Sequence, residues 1–227
     1  MNILKYLLLS LWFIGMYGCN NISKTAENKE EENPAKPYEP IVIKPDTLIY
    51  VVLDDSLREE VRKRGKKMAY TTQMALKKEL QAAIKAGGPA HAVAFCNTRA
   101  MQITDSVSLA NGVGIKRLAK KNRNPLNAMD ENESNLYKSY VLEFINGAPP
   151  HETILWNEQG NPVYYYPMYV DALCLNCHGT VGKEILPEVA ETIAKLYPED
   201  LATDFKEGDP RGMWSVTFPE YRITDVK

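Results

Sequence analysis

Histidine and cysteine are scarce in this sequence, with 3 and 4 copies in 227 residues. A dense disulfide framework is therefore excluded, and each of these residues can be weighed singly. Basic charge is not in excess either: 27 Lys and Arg stand against 29 Asp and Glu, a net charge of −2. No broad cationic field is present to hold nucleic acid. Glycine at 13 and proline at 14 copies are too few for a collagen-like chain. No apolar run reaches the roughly 20 residues that a spanning helix needs, and no internal repeat is visible. What is there is a globular balance, 44% hydrophobic and 25% charged, in a chain long enough for one domain and an appendage.

The appendage is N-terminal. Lys5 precedes an apolar run from Tyr6 to Tyr17, broken only by Ser10 and Gly15. A basic start and a short apolar core read as a secretory signal. The run closes on Met16-Tyr17-Gly18-Cys19, which resembles a bacterial lipoprotein box. Residues 1–18 then form a lipoprotein signal peptide, and Cys19 carries the lipid; the plainer alternative is an ordinary signal peptide with a chance Cys. Residues 19–45 hold the run Lys29-Glu30-Glu31-Glu32 and prolines 34, 37, 40 and 45, with no apolar periodicity before Ile41. Such a segment cannot bury enough surface to fold, so a flexible tether is expected. The implied location is extracytoplasmic, anchored by lipid to a bacterial membrane, either periplasmic or at the cell surface.

Residues 46–227 read as the folded domain. A short strand or apolar lead-in is expected at 48–53. Asp54-Asp55-Ser56 supplies caps for a helix whose apolar positions recur from Leu57 to Ile84 and which Gly87-Gly88 stops. A second helix from Pro89 closes at Asn111-Gly112, a strand follows at 115–118, and a polar loop forms around Asn124-Pro125. A third helix spans 130–145. Strands at 153–156 and 162–170 flank Glu158-Gln159-Gly160-Asn161, a hairpin turn. A fourth helix at 187–197 and a strand at 213–218 complete the pattern. Long helices first and strands later argue for an α+β fold.

Cys174-Leu175-Asn176-Cys177-His178-Gly179 carries the chemistry. Cys-x-x-Cys-His is the attachment signature of c-type haem. Two cysteines three apart share one face of a helical turn, so both thiols can add to the vinyl groups on one porphyrin edge. The adjacent His then falls under the iron as proximal ligand. Three plainer readings compete: a Cys174–Cys177 disulfide, a thioredoxin-like pair lacking its βαβ surroundings, and a zinc site that recruits Cys96. For the sixth iron position the candidates are Cys96, in the apolar stretch Ala92-Val93-Ala94-Phe95, and His91, His151 and Met168.

Four stretches in order resemble a family of extracytoplasmic c-haem proteins with a PAS-like fold, long catalogued as a domain of unknown function. They are Ala94-Phe95-Cys96; Arg123-Asn124-Pro125-Leu126-Asn127 with Asp130 and Glu133; Tyr166-Pro167 leading into the haem signature; and Gly208-Asp209-Pro210-Arg211-Gly212 with Ser215-Val216. Met129 departs from the pattern, where a proline is expected. The resemblance implies a central antiparallel sheet flanked by helices, one covalent haem c, His178 as proximal ligand and Cys96 as distal thiolate. Apolar walls are expected from Phe95, Tyr164, Tyr166, Met168 and Leu175. Propionate partners are sought among Arg99, Arg117, Arg123 and Arg211, of which Arg123 and Arg211 lie in the resembling stretches.

Three functions fit a haem of this kind. One is a tethered redox or gas sensor in which a small ligand replaces Cys96, a role the resemblance suggests because the family is also found fused to signalling modules; its output is expected to pass to a partner protein. Another is a low-potential electron carrier, because a thiolate stabilises ferric iron. The third is a peroxidase-like enzyme, which a filled sixth position and the lack of an obvious distal acid/base pair disfavour.

Overall fold

Asp54 is extended (φ −85, ψ 178) and accepts a hydrogen bond from the Leu57 N–H at 2.8 Å, which starts helix α1 (Asp55–Asn111). A computed structural model describes residues 38–225 of the chain; Cys19, residues 1–18 and most of the expected tether lie outside them. The compact unit begins at Pro40. Among the described residues no helix is long and apolar enough to cross a membrane.

Leu57, Val61, Met68, Ala69 and Thr72 are buried along one stripe of α1, the spacing that lays a helix on a sheet. The helix breaks where the sequence places the break. Gly87 (φ −155, ψ 19) and Gly88 (φ 77, ψ −178) leave helical geometry, and Pro89 begins the second segment. Gly112, left-handed at φ 63, ends it.

The main sheet is antiparallel. Its strands are β2 (Gly114–Leu118), β3 (Thr153–Trp156), β4 (Pro162–Tyr169) and β5 (Pro210–Thr217), in the spatial order β2-β5-β4-β3. The β3–β4 hairpin closes on Gly160, at φ 75, whose N–H donates to the Asn157 carbonyl at 2.8 Å. Strand β5 starts three positions before the apolar run suggests, because Pro210 to Gly212 pair with β4 through backbone despite their small apolar content. A second sheet joins β1 (Ile49–Val52) in parallel with β6 (Tyr221–Asp225). Strand β6 is absent from the sequence reading.

Alternation sorts the sheet's side chains between two cores. Tyr164, Trp214, Val216 and Phe218 pack with Leu57, Val61 and Met68 of α1. Val163, Tyr165, Met213 and Leu118 pack with Tyr140 of α2 (Glu131–Ile145). Helix α2 opens with a reciprocal cap, in which the Glu133 N–H donates to Asp130 and the Asp130 N–H to Glu133, at 2.8 and 3.0 Å. A short turn, α3 (Leu175–His178), carries Cys177 and His178, with Cys174 directly before it. Helix α4 (Pro187–Leu196) lays Val189 and Ile193 against Val93 in the second segment of α1.

Tyr164 approaches the α1 backbone so closely at Gly65 that a Cβ there would collide with the ring. Gly65→Ala gains about 1 kcal/mol of helix propensity, while overpacking a well-filled core costs roughly 1–3 kcal/mol. The substitution is expected to lower the unfolding free energy, read by urea denaturation.

Candidate cofactor site

Asp171 organises the turn that presents the cysteines. Its Oδ1 accepts the Cys174 N–H at 3.2 Å, and its Oδ2 accepts Lys77 Nζ at 2.7 Å from α1. The chain then winds through α3, placing Cys174 and Cys177 three residues apart with both thiols free. The disulfide reading therefore has no counterpart here. Among the described residues no three His, Cys, Asp or Glu side chains converge on one point, which removes the zinc reading as well.

His178 is fixed by its ring. Its Nδ1 lies 2.8 Å from the Ala202 carbonyl, which can only accept, so Nδ1 carries the hydrogen and Nε2 keeps the lone pair. Phe205 stands edge-on to the imidazole, centroids 6.4 Å apart. Burial, and then the charge of Arg211 and Arg123, push the His178 pKa well below its usual value, so the imidazole is neutral.

Arg123 holds this loop in place. Its guanidinium spans both Asp200 oxygens at 3.1 and 3.0 Å and also donates to the carbonyls of Cys177 (2.7 Å) and Ala202 (3.3 Å). The two side chains are only 11% and 8% exposed, unlike the surface pairs of α1. Arg123 thus fastens the residue before His178 and the carbonyl that orients it.

Cys96, Cys174, Cys177 and His178 line one cavity of about 270 Å³. Cys96 comes from the second segment of α1, with Val93 and Ala100 on the same stripe. Burial raises its thiol pKa, opposed by Arg117 and then Arg123. Burial likewise pushes Cys177 up to about 11 against Arg123, and raises Cys174. Of the alternatives to Cys96, Met168 also lines the cavity. His91 is exposed outside it, and His151 lies 3.3 Å from Glu143 on α2. Phe95 and Met168 are wall residues as expected, but Tyr164 and Tyr166 belong to the α1–sheet core and Leu175 packs beside Val170 and Phe205. Arg117, Arg123 and Arg211 line the cavity; Arg99 is exposed and donates to Gln102 at 2.5 Å. Ala202, Asp200 and Trp214 complete the site. Sequence reasoning missed them, since a backbone carbonyl and a distant acid carry no local signal.

A neutral imidazole with a free nitrogen, a thiol on another wall and a thiol pair on one turn suit an iron porphyrin bound covalently at one edge. The family model Tll0287-like: Tll0287 matches residues 47–219. The chain belongs to the Tll0287-like family. A solved structure described as the crystal structure of the cyanobacterial heme-protein Tll0287 superposes with a TM-score of 0.50 at 23% identity, covering 71% of this chain and 97% of that one. A search of curated proteins finds no match.

Removing one partner of the buried Arg123–Asp200 pair leaves the other charge stranded. Arg123→Gln and Asp200→Asn are each expected to cost roughly 3–5 kcal/mol of stability, measured by urea denaturation.

Proposed function

We propose that this Tll0287-like chain is a c-type haem-binding lipoprotein that acts as an extracytoplasmic redox or gas sensor. One haem is held covalently by Cys174 and Cys177, with His178 as proximal and Cys96 as distal ligand. The observation that carries this reading is the convergence of all four residues on one cavity, although Cys96 and the signature lie on separate elements. The description of the solved relative as a heme-protein supports it. The antiparallel sheet between α1 and α2 supports a PAS-like fold.

Bound haem would supply a one-electron couple and, when one axial position opens, a site for a small gas molecule. The protein's part is positional. Ala202 holds the tautomer of His178 in which Nε2 can coordinate, and Arg123 ties down the backbone that carries it. Cys96 is the partner that can be exchanged. It lies beyond the Gly87–Gly88 break in α1, so a change at its sulfur acts on a helical segment that touches the sheet core through Val107 and packs on α4 through Val93. That arrangement supports sensing, with the signal passed to a protein partner at the membrane.

The same donor pair fits a low-potential electron carrier, the second reading. A peroxidase-like enzyme is less well supported, because His91 and His151 both lie away from the cavity and supply no distal acid/base group. Lipid on Cys19 anchors the chain to a bacterial membrane.

Protein made with the attachment machinery is expected to keep a haem stain on denaturing gels, and Cys174→Ala with Cys177→Ala to lose it; wild-type haem extracted by acid acetone contradicts covalent attachment. Cys96→Ala is expected to keep the haem and change the ferric spectrum, whereas an unchanged spectrum returns the sixth position to Met168. Rapid CO binding by the reduced wild type supports sensing. Refusal of CO with a reversible one-electron couple favours electron transfer.

The anchor is tested separately. Cys19→Ser is expected to move the protein from the membrane to the soluble fraction, and a variant that stays with the membrane rules out lipid on Cys19 as the anchor.

A further inference from the structure

The cavity holds more positive charge than its own acids neutralise. Arg117, Arg123 and Arg211 all line it. The acid beside them, Asp200, has both oxygens occupied by Arg123 at 3.1 and 3.0 Å. Asp171, the acid that lines the cavity, receives Lys77 at 2.7 Å together with the Cys174 N–H and thiol. Arg211 donates to the Lys121 carbonyl at 2.9 Å and lies 5.1 Å from the Phe205 ring centroid, with no carboxylate in contact. Arg117 has no ion pair among the described residues; burial lowers its pKa, opposed by Cys96 and Tyr197.

Two partly buried guanidinium groups without anions are unfavourable, and their proximity adds repulsion. Burial, then Arg117 and Arg123, bring the Arg211 pKa down to about 10. An independent observation points the same way. Trp214 lines the cavity, and its Nε1–H is buried with no hydrogen-bond partner. Trp214 is the register partner of Arg117 across β2 and β5, so both side chains leave the sheet on one face.

We infer that Arg117, Arg211 and the Trp214 Nε1–H form an anion subsite for the two carboxylates of haem, while Arg123 serves the protein backbone instead. The inference rests on the haem reading above. Two cations without acids match two carboxylates, and a guanidinium fork suits each. The charged groups that act on Cys174 are Asp171 and Lys77 rather than these arginines. Porphyrin chemistry asks for that separation, since its vinyl and carboxylate edges are opposite.

The test uses full-length, haem-loaded protein, with loading confirmed by haem stain. Arg117→Gln and Arg211→Gln are expected to keep the stain, lower the reduction potential and shift the propionate bending band in resonance Raman spectra. Removing a nearby cation favours ferric iron, hence the direction. Arg99→Gln, on the surface, is the control and is expected to change neither. Potential and band both unchanged in the loaded Gln variants overturn the subsite and leave the haem reading intact. A wild type with no attached haem overturns the haem reading instead. A wild-type potential that moves with phosphate at fixed ionic strength places a free anion at the arginines and also overturns the assignment. Where the Gln variants do not fold, Arg117→Lys and Arg211→Lys replace a planar fork by a point charge; a shifted band supports the subsite and an unshifted band in both overturns it.

Discussion

The site depends on the buried contact between Arg123 and Asp200. One guanidinium joins a carboxylate, the carbonyl of Cys177 and the carbonyl of Ala202, and the same Ala202 carbonyl takes the Nδ1–H of His178. Loop and imidazole are therefore fixed by one set of bonds. Charge-assisted bonds are stronger than neutral ones, and at 11% and 8% exposure this pair is largely out of water. The ion pairs along α1 are more exposed, where Coulomb attraction is screened and side-chain entropy opposes it. Electrostatic strength is thus concentrated where the imidazole has to be held.

That concentration has a cost in charge. A buried His beside three arginines is driven neutral, which is the form that can coordinate a metal. Buried thiols are driven towards the neutral form too, which opposes coordination; Arg117 and Arg123 counter that at Cys96, and Arg123 at Cys177. Arginine in this cavity acts in two directions at once, discharging the imidazole and favouring thiolate. Lysine would be less suited to both tasks, because a desolvated ammonium loses its proton more readily than a guanidinium.

Legibility in the sequence followed the range of the interaction. The break at Gly87-Gly88, the cap at Asp54 and the turn at Gly160 are set by torsions and hydrogen bonds within a few residues, and each lies where it was read. The signature at Cys174, Cys177 and His178 was legible because its chemistry fixes its own spacing. Strand β6 was not, since its pairing with β1 joins the two ends of the fold. Tyr164 and Tyr166 face the α1 core rather than the cavity, a difference the sequence does not carry because an aromatic strand has no mark for which face meets a cavity and which a helix. Arg123 is legible as a cavity cation from its resembling stretch, whereas its bonds to Asp200 and Ala202 cross 77 and 79 positions and leave no local trace.

The cavity is therefore built from walls of unequal rigidity. One comprises α3 and the loop through Ala202, fastened by Arg123. The other is the second segment of α1, attached to its first segment through two non-helical glycines, packed on α4 through Val93 and joined to the sheet near its end by Val107 and the Ser108 hydroxyl. Apolar packing of that kind is non-directional and tolerates small displacements better than a bidentate ion pair does. Of the two residues proposed to hold iron, His178 lies on the wall fastened by Arg123, and Cys96 on the segment that packs on α4 through apolar contacts. A fold that fixes His178 by charged hydrogen bonds and holds Cys96 by apolar packing would give the exchange proposed at Cys96 a structural direction.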